Sequence, residues 1–250
     1  DMTLMSVLEK LTCNPADLYH LPAGRLTENG PADIVLFDPK EEYVIDGFVS
    51  KSKNSPFLGR KVKGQVYYTI CGGKIVYSKC PDIYDLWMST ELAETARPGQ
   101  FVCVYPKDKS ALLGRPISIC EVIPTESMMR LVYRKVGKGT GEFATLNTGD
   151  TVELLGNLGN GFPADLAKGK KVFLIGGGVG IPPMVQLAKT IQGEKQIIVG
   201  YRNSETFLDK DLDRRGELYI ATEDGSLGTK GNVMDAIREN KLTADMIFAC

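Results

Sequence analysis

A glycine-rich stretch between residues 172 and 189 carries the clearest chemical signal in this sequence: V-F-L-I-G-G-G-V-G-I-P-P-M-V-Q-L-A-K. Its apolar start, residues 172–175, predicts a buried strand, and Pro182-Pro183 predict the beginning of a helix. Four glycines lie between them: Gly176, Gly177, Gly178 and Gly180. Such a turn lets the backbone approach a pyrophosphate, whose charge the helix N-terminus favours. Ile181 replaces the third glycine of the usual dinucleotide fingerprint, so an ordinary glycine-rich turn is the alternative to a nucleotide site.

Three phrases upstream combine cations, hydroxyls and small residues. Arg115-Pro116-Ile117-Ser118 places a guanidinium and a hydroxyl on one strand, which suits a flavin pyrophosphate and isoalloxazine edge. Val132-Tyr133-Arg134 supplies an aromatic face and a second cation, and Gly137-Lys138-Gly139-Thr140 supplies N–H groups for phosphate. Taken singly, each has a plain alternative: a surface arginine, a half-buried strand tyrosine, a solvated basic hairpin. Their order and spacing favour a flavin site.

Two more phrases follow apolar segments in the last third of the chain. Tyr201 and Arg202 come after residues 196–199 and could cradle a nucleotide, and Glu223-Asp224-Gly225 could line its ribose or nicotinamide. The alternative for Asp224-Gly225-Ser226 is an ordinary turn. We identify no acid–base catalyst in these phrases.

Composition narrows the classes of partner. The 250 residues include 30 basic and 31 acidic side chains, a net charge of -1, so nothing favours nucleic acid or an anionic membrane surface as a partner. No apolar run approaches the roughly 20 residues of a membrane span, and no signal-peptide pattern opens the chain. We predict a soluble, cytoplasmic protein.

Cysteine and histidine usage argues against a metal site. The six cysteines include no C-x-x-C pair, which disfavours zinc or iron–sulfur binding by this chain, and we expect reduced, mostly buried thiols. His20 is the only histidine, so Ser-His-Asp hydrolysis and multi-histidine metal chemistry are nearly excluded. We expect His20 to be a loop or packing residue.

The pattern of strands predicts two architectures that position these phrases. Residues 83–88, 101–105, 117–122, 131–136 and 151–155 are short apolar runs bounded by turn residues. With no helical periodicity between them, they predict a closed antiparallel barrel. From residue 167, strands at 172–175, 196–199, 218–221 and 246–249 alternate with helices at 183–191 and 231–239. This alternation predicts a parallel sheet whose ligand lies at the carboxyl ends of the strands.

Residues 1–79 form a different, β-rich region. A short helix at residues 6–11 and strands at 34–37, 62–70 and 74–77 are separated by turn residues. The phrases N-P-A, G-R-L, A-D-I-V, S-K-S-K-N-S-P-F-L-G and G-G-K-I-V-Y resemble the C-terminal end of dihydroorotase, an amidohydrolase of pyrimidine synthesis. That family hydrolyses its substrate with metal-bound histidines and a modified lysine on an earlier barrel, which this chain lacks. The resemblance therefore implies a remnant or attached module without dihydroorotase activity.

The boundary between the two kinds of sequence falls near Pro81, which interrupts strand hydrogen bonding. The barrel needs an opening strand before Ile83. We hypothesise that the strand at residues 74–77, or one near it, is shared across the boundary. The predicted domains are a dihydroorotase-like β segment (1–79), a flavin-binding barrel (80–166) and a nucleotide-binding α/β domain (167–250).

Residues 80–250 resemble the electron-transfer subunit of NAD-dependent, B-type dihydroorotate dehydrogenase, an iron–sulfur family of ferredoxin-reductase-like flavoproteins. The resemblance rests on R-P-I-S, Y-R-x-x-G-K-G-T, G-x-L-G-N-G-F, the loop at residues 176–180 and A-T-E-D-G-S. It implies that FAD is held by Arg115, Pro116, Ile117, Ser118, Val132, Tyr133, Arg134, Gly139 and Thr140. On the nicotinamide side it supports Gly176, Gly177, Gly178, Gly180, Tyr201, Arg202, Glu223 and Asp224.

The resemblance implies hydride exchange between NAD(H) and FAD, for which the cofactors carry the chemistry and no catalytic side chain is needed. In the family, electrons pass between this FAD and an FMN in a separate catalytic subunit that oxidises dihydroorotate to orotate. Preference for NAD over its phosphorylated form is implied by the resemblance alone.

Two departures from the family leave alternatives open. The family continues beyond Cys250 with a nucleotide loop and a cysteine-rich stretch that binds a [2Fe-2S] cluster, which this sequence does not contain, and the front of its barrel is replaced by dihydroorotase-like sequence. We therefore expect a fusion or a fragment with an incomplete nucleotide domain. The alternatives are a stand-alone flavin or ferredoxin-type reductase, and an inactive chimera that acts only as an association module.

Overall fold

The computed structural model describes residues 2–28, 30–45, 55–71, 74–78, 80, 82–108 and 113–250. The chain divides into two compact units, Asp1–Pro81 and Asp82–Cys250. Parts of the dihydroorotase-like phrases, residues 50–54 and 72–73, lie outside the described residues, as does Pro81. Among the described residues, no helix has the length and apolar character needed to cross a membrane.

The first unit contains two short helices and three strands. They are α1 (Leu4–Leu11), α2 (Cys13–Leu18), β1 (Ile34–Val44), β2 (Lys61–Cys71) and β3 (Lys74–Ser78). The strands form an antiparallel sheet in the order β1-β2-β3. The predicted helix and three strands are confirmed, whereas α2 was not predicted. His20 follows α2 in an exposed, left-handed position (φ 52°), as expected of a loop residue.

The hypothesis of a strand shared across the boundary is not supported. In the structure β3 is hydrogen-bonded to β2, with Tyr68 opposite Ser78 and Thr69 opposite Tyr77. The opening strand of the second unit pairs elsewhere, as described below.

The second unit begins with an antiparallel sheet. Its strands are β4 (Ile83–Ser89), β5 (Phe101–Tyr105), β6 (Arg115–Ile123), β7 (Met128–Arg134) and β8 (Glu153–Leu158), in the order β4-β7-β6-β5-β8. Alternate residues such as Val102 and Val104 on β5, and Met129 and Leu131 on β7, are buried in one core. The five predicted strands are confirmed.

Two details of this antiparallel sheet differ from prediction. Helices α3 (Leu92–Thr95) and α4 (Lys138–Phe143) lie between its strands, although the sequence shows no helical periodicity there. These helices have four and six residues, fewer than two helical turns, which is too short for a periodic pattern to develop. Over the residues that the structure describes, β4 and β8 are the sheet edges and are not paired with each other. Leu86 and Leu154 from these edge strands pack on the same core, so the sheet curls around its apolar side chains.

A parallel sheet completes the second unit. Its elements are β9 (Lys171–Gly177), α5 (Pro182–Thr190), β10 (Glu194–Tyr201), α6 (Asp209–Asp213), β11 (Glu217–Thr222), β12 (Thr229–Lys230), α7 (Val233–Glu239) and β13 (Met246–Ala249). The strand order is β12-β11-β10-β9-β13, and every pair is parallel. The strand order therefore reverses between β9 and β13, the place where such sheets bind ligands. The predicted alternation of strands and helices is confirmed, with β12 and α6 added.

Polar and apolar contacts join the antiparallel sheet to helices α5 and α6. Six side chains, which we call the charge cluster, are Asp85, Glu121, Arg130, Lys189, Asp211 and Arg215. Arg130 Nη1 on β7 lies 3.2 Å from Asp211 Oδ1 on α6. Glu121 Oε1 on β6 lies 3.1 Å from Lys189 Nζ and 2.9 Å from Arg215 Nη2. Since Glu121 and Arg130 are both buried, these charges depend on one another for stabilisation.

We expect Glu121→Gln to remove part of the acid sensitivity of this protein. Burial raises the pKa of Glu121, but the hydrogen bond from Lys189 and the charge of Arg215 outweigh it, so the pKa lies below its ordinary value of 4.5. A lowered folded pKa means that Glu121 contributes stability above pH 4.5 and loses that contribution as the pH falls through the folded pKa. At pH 7 the variant should therefore lose about 3–5 kcal/mol of unfolding free energy, and the deficit should shrink toward pH 3.

Urea unfolding at the two pH values measures this difference. Trp87 is the only tryptophan, and the Arg130 guanidinium carbon lies 5.6 Å from its ring centroid, so its fluorescence reports on the charge cluster. Glu239→Gln, at the exposed end of α7, is the control and should change neither value. A deficit of equal size at pH 7 and pH 3 would contradict the assignment.

Candidate functional site

One cleft of about 960 Å³ lies between the antiparallel sheet and the carboxyl end of the parallel sheet. The predicted site residues that line it are Arg115, Pro116, Ile117, Ser118, Val132, Tyr133, Arg134, Thr140, Gly177, Gly178, Tyr201, Arg202 and Glu223. Residues 115–118 lie on β6, residues 132–134 lie on β7, and Thr140 lies on α4. The remaining residues lie at the ends of β9, β10 and β11. The cleft therefore brings together phrases that lie up to about a hundred residues apart in the chain. Its volume lies in the range of small-molecule sites.

Arg115 opens β6 and lines the cleft, and two features hold its side chain. Its Nη1 donates a hydrogen bond to the carbonyl of Leu113. The first helical turn of α4 lies against it, because a Cβ atom built on Gly139 would come within 2.7 Å of Arg115 Nε. Gly139 itself does not line the cleft. Because it has no side chain, it leaves space for the Arg115 guanidinium, which does line the cleft.

We expect Gly139→Ala to displace Arg115 and weaken binding of an anionic ligand in the cleft several-fold, without unfolding the protein. Alanine is well suited to a helix, so the backbone should tolerate the change. Gly141→Ala in the same helix is a matched control, because its Cβ would meet only Lys135 Cε at 3.8 Å, an ordinary contact. Titration of both variants with FAD measures the effect. Equal affinities in the two variants would show that the position of Arg115 is unimportant.

Thr140 shapes the turn that leads into α4. Its Oγ1 accepts hydrogen bonds from the N–H groups of Val136 (3.0 Å) and Gly137 (3.1 Å), and it donates to the Gly137 carbonyl (3.2 Å). The hydroxyl is thus used within the chain, where it fixes the turn. The solvated basic hairpin considered from the sequence is replaced by a hydrogen-bonded turn and a helix.

Tyr133 contributes an aromatic wall and has little exposed surface. Its ring stacks on Tyr84 with centroids 5.8 Å apart and meets the edge of Phe143 at 6.2 Å. Burial raises the pKa of Tyr133, so its hydroxyl is neutral at physiological pH. One ring face is already used by Tyr84. The neighbouring Arg134 is half-buried and also lines the cleft.

The four glycines after β9 divide into two kinds. Gly177 and Gly178 line the cleft, and a Cβ atom at either position would meet nothing within 4 Å. Gly176 and Gly180 lie outside the lining, where a Cβ would come within 2.9 Å of the Gly180 carbonyl oxygen and 2.4 Å of the Cys250 carbonyl oxygen, respectively. The second pair is required by close packing of backbone at the end of the sheet. The first pair leaves space that a ligand's phosphates can approach.

Backbone hydrogen bonds join the loops after β10 and β11. The N–H of Glu223 donates to the Tyr201 carbonyl (3.1 Å), and the N–H of Asp224 donates to the Arg202 carbonyl (3.3 Å). Tyr201 is buried, and its hydroxyl donates to the Phe207 carbonyl (2.7 Å), so it supports the loop that presents exposed Arg202. Glu223 is exposed in the cleft.

Among the predicted site residues, Asp224 best fits the alternative interpretation, which is an ordinary turn. Its Oδ1 accepts hydrogen bonds from the Ser226 hydroxyl (2.6 Å) and the Ser226 N–H (2.9 Å), and these bonds hold the pKa of Asp224 below its ordinary value. It does not line the cleft. Its side chain therefore builds the turn that follows Glu223.

Several residues that line the cleft were not singled out from the sequence: Asp82, Val136, Val179, Gly200, Asn203, Glu205, Phe207, Gly231, Asn232 and Val233. One signal could have identified Gly231 and Asn232. Asn232 Oδ1 caps α7 by accepting from the N–H of Met234 (2.8 Å), and an Asn at a helix start is readable from sequence. Val179 and Phe207 carry no comparable signal, since their position depends on how the loops fold.

The burial of the cysteines differs from prediction, since most of them were expected to be buried. Among the six, only Cys120 is buried, which raises the pKa of its thiol, whereas Cys71 and Cys250 are exposed. Their burial depends on the packing of each strand, and a scattered cysteine gives no periodic signal of its own. In the part of the chain that the structure describes, no three or more His, Cys, Asp or Glu side chains are grouped as a metal site.

The chain is similar to two kinds of known protein. The model of the amidohydrolase family matches residues 1–76. The chain also matches the electron transfer subunit of dihydroorotate dehydrogenase B (NAD(+)) from Geobacillus sp. (strain WCH70), with 41% identity over 176 residues, 68% of this chain and 68% of that protein. The chain belongs to this family of electron transfer subunits. The Listeria monocytogenes serotype 4a (strain HCC23) member is 39% identical over 173 residues and covers 67% of the chain.

Solved structures support the same fold for this electron transfer subunit. The structure of the NADH-dependent reduced ferredoxin-NADP oxidoreductase, described for flavin-based electron bifurcation, has a TM-score of 0.61 and 29% identity. The match covers 69% of this chain and 64% of that one, so the chain spans less than two thirds of that enzyme. A ferredoxin NADP+ reductase from Neisseria gonorrhoeae, with bound FAD and NADP, has a TM-score of 0.54 at 17% identity over 68% of this chain and 79% of its own.

These findings confirm three predictions from the sequence. The resemblance of residues 80–250 to the electron transfer subunits is confirmed by the relatives, and that of residues 1–79 to an amidohydrolase by the family model. The ferredoxin-reductase-like fold is confirmed by the solved structures. The individual cofactor-binding residues and the bounds of the three domains remain predictions.

Proposed function

We propose that this chain is a flavin-dependent NAD(H) oxidoreductase subunit that moves reducing equivalents between NAD(H) and FAD in pyrimidine biosynthesis. Its partner in this proposal is the FMN-containing catalytic subunit of a dihydroorotate dehydrogenase. The observation that carries the proposal is a cleft whose two walls come from the antiparallel sheet and from the carboxyl end of the parallel sheet. The names of the relatives at about 40% identity support the same function.

The residues of the antiparallel wall suit FAD. Arg115 and Arg134 supply cationic donors for phosphate, and Ser118 supplies a hydroxyl for the ring edge. Thr140, which also lines the cleft, fixes the turn beside them through its bonds to the Val136 and Gly137 N–H groups. The fit is supported by Gly139, since any side chain there would occupy the space of the Arg115 guanidinium.

The residues of the parallel-sheet wall suit NAD(H). Gly177 and Gly178 leave open space at the start of the turn into α5, where backbone can approach a pyrophosphate. Arg202 and Glu223 extend from two adjacent strand ends and suit the ribose and nicotinamide. When both are bound, the cofactors supply hydride exchange, and the chain's residues bind and orient them and exclude water. We assign no catalytic side chain and no iron–sulfur ligand among the described residues.

The test is the visible spectrum of the purified protein before and after addition of NADH without oxygen. The proposal expects a yellow protein whose flavin absorbance is lost on reduction. A colourless protein that does not take up added FAD would favour the inactive association module instead.

A second measurement distinguishes the subunit from a stand-alone reductase. Mixed with the catalytic chain of a B-type dihydroorotate dehydrogenase, the protein should form a complex detectable by size-exclusion chromatography and transfer electrons from dihydroorotate to NAD+. A yellow, NADH-reducible protein that forms no such complex would favour the stand-alone reductase.

A further inference from the structure

The charge cluster lies at the contact between the two walls of the cleft and takes no part in lining it. Arg130 is held on the antiparallel sheet by Asp85, with Nη2 to Oδ2 at 2.6 Å and Nε to Oδ1 at 3.0 Å. The same guanidinium reaches across to Asp211 on α6, with Nη1 to Oδ1 at 3.2 Å and Nη2 to Oδ2 at 3.5 Å. The planar guanidinium of Arg130 therefore contacts both the antiparallel sheet and α6.

Glu121 and its neighbour Val122 on β6 make the other contacts across this boundary. Glu121 Oε1 accepts from Lys189 Nζ and Arg215 Nη2 at 3.1 and 2.9 Å. Beside it, the N–H of Val122 donates to Gln186 Oε1 on α5 (3.1 Å), and the Val122 carbonyl accepts from Lys189 Nζ (3.3 Å). Helix α5 is thus bonded to both the side chains and the backbone of β6.

Each element that carries the cluster also carries a wall of the cleft. Strand β6 begins with Arg115 in the cleft and continues to Glu121 in the cluster. Helix α5 follows the glycine turn that includes Gly177 and continues to Lys189. The loop with Arg202 leads directly into α6 and Asp211. A rotation of α5 and α6 on the antiparallel sheet would therefore change the separation of the two walls.

A gain in stability alone does not explain the presence of the charge cluster. It contains three cations and three anions, so its formal charge is balanced. Desolvation of buried ion pairs offsets most of their attraction, and apolar side chains of similar size often stabilise as well or better. Beside the cluster the boundary is already apolar, since Cys120 and Val132 pack in one core with residues of α5, including Met184. Directional hydrogen bonds add to that apolar contact a preference for one orientation.

We propose that Asp211, through Arg130, is a positioning residue that fixes the orientation of the parallel-sheet half on the antiparallel sheet and thereby the distance between the two bound cofactors. The inference rests on the proposed function, because it concerns the transfer of hydride between FAD and NAD(H) in that cleft. Hydride transfer depends steeply on separation, and a misplacement of about 1 Å can lower a rate by as much as about 100-fold.

Asp85 and Asp211 provide a matched pair of variants. Both carboxylates bind Arg130, and their side chains are 34% and 33% exposed, but Asp85 lies on the same sheet as Arg130 and Asp211 lies across the boundary. In either alanine variant the guanidinium keeps one aspartate and Glu121 as partners. The experiment measures FAD content, the dissociation constant for NADH, and the rate of flavin reduction at saturating NADH by anaerobic stopped flow in the full chain.

Asp211→Ala should lower the rate of flavin reduction at saturating NADH about tenfold, with FAD content and NADH affinity changed less than twofold. Asp85→Ala should change that rate less than twofold. A merely structural role predicts the opposite order, because Asp85 makes the shorter contacts with Arg130. Equal rates in both variants, equal losses in both, or a larger loss in Asp85→Ala would each overturn the proposal.

Asp211→Asn keeps the test decisive if Asp211→Ala does not fold. The amide retains the size of the side chain, which is 33% exposed, and removes the charge that faces Arg130. A loss of rate in the same direction at unchanged FAD content is expected, and an unchanged rate would overturn the proposal. If the unmodified protein is not reduced by NADH, the proposed function itself fails, which separates that outcome from failure of this inference.

Discussion

Replacing Arg115 with alanine is expected to leave the purified protein with little bound FAD. The residue lines the cleft at the start of β6, where Gly139 and the Leu113 carbonyl hold its guanidinium. A charge-assisted hydrogen bond to a phosphate contributes roughly 1.5–3 kcal/mol, so its loss should weaken FAD binding about 10- to 150-fold. The ratio of flavin absorbance to protein absorbance after purification measures this loss.

Two variants make the Arg115 result specific. Arg214→Ala removes an exposed arginine outside the cleft and should retain full flavin occupancy. Arg115→Lys keeps the positive charge but not the planar fork, so it should fall between alanine and the unmodified protein. Full occupancy in Arg115→Ala would mean that this residue does not bind the flavin pyrophosphate.

Gly177→Ala should weaken NAD(H) binding without destabilising the protein. Its new Cβ would meet no protein atom within 4 Å, and Gly177 has a φ of −125° that any residue adopts. The methyl group would instead occupy space into which we propose the pyrophosphate approaches. Such overpacking costs about 1–3 kcal/mol, or roughly 5- to 150-fold in affinity. Isothermal titration with NAD+ measures it, and thermal melting tests the fold.

Gly180→Ala, unlike Gly177→Ala, should destabilise the protein. Its Cβ would come within 2.4 Å of the Cys250 carbonyl oxygen, and the Cys250 N–H is itself bonded to the Ile175 carbonyl at 3.0 Å. Since the obstacle is anchored backbone, the strand end must shift, and we expect a loss of about 1–3 kcal/mol of unfolding free energy. If Gly177→Ala lowered the melting temperature as much as Gly180→Ala does, the distinction between the two kinds of glycine would be wrong.

Much of the fold was predictable because its signals are local. Each strand of the second unit except the two-residue β12 contains a run of apolar residues, and their burial requires no information from distant parts of the chain. The same holds for the turn of glycines followed by Pro182-Pro183, which identifies a strand end and a helix start. Helices α3 and α4 were missed because four and six residues are fewer than two helical turns, too few for the helical pattern to repeat.

The candidate site was predictable only in part. Arg115, Ser118 and Tyr133 could be named from their order along the chain, but not that Tyr133 has one ring face covered by Tyr84. Asp224 was named with its neighbour Glu223, and the structure separates them, since hydrogen bonds to Ser226 use the Asp224 carboxylate in a turn.

The sequence by itself determined the order of the longer strands and helices, the glycine turn and the membership of residues 80–250 in a flavoprotein family, because periodicity and motifs are properties of neighbouring residues. Only the tertiary structure decided which glycines are open to the cleft and which ones pack against backbone. It also decided that Arg130, which carries no motif, joins β7 to α6 through Asp211. Both facts depend on distances between segments remote in the chain, which are set by how the two sheets pack.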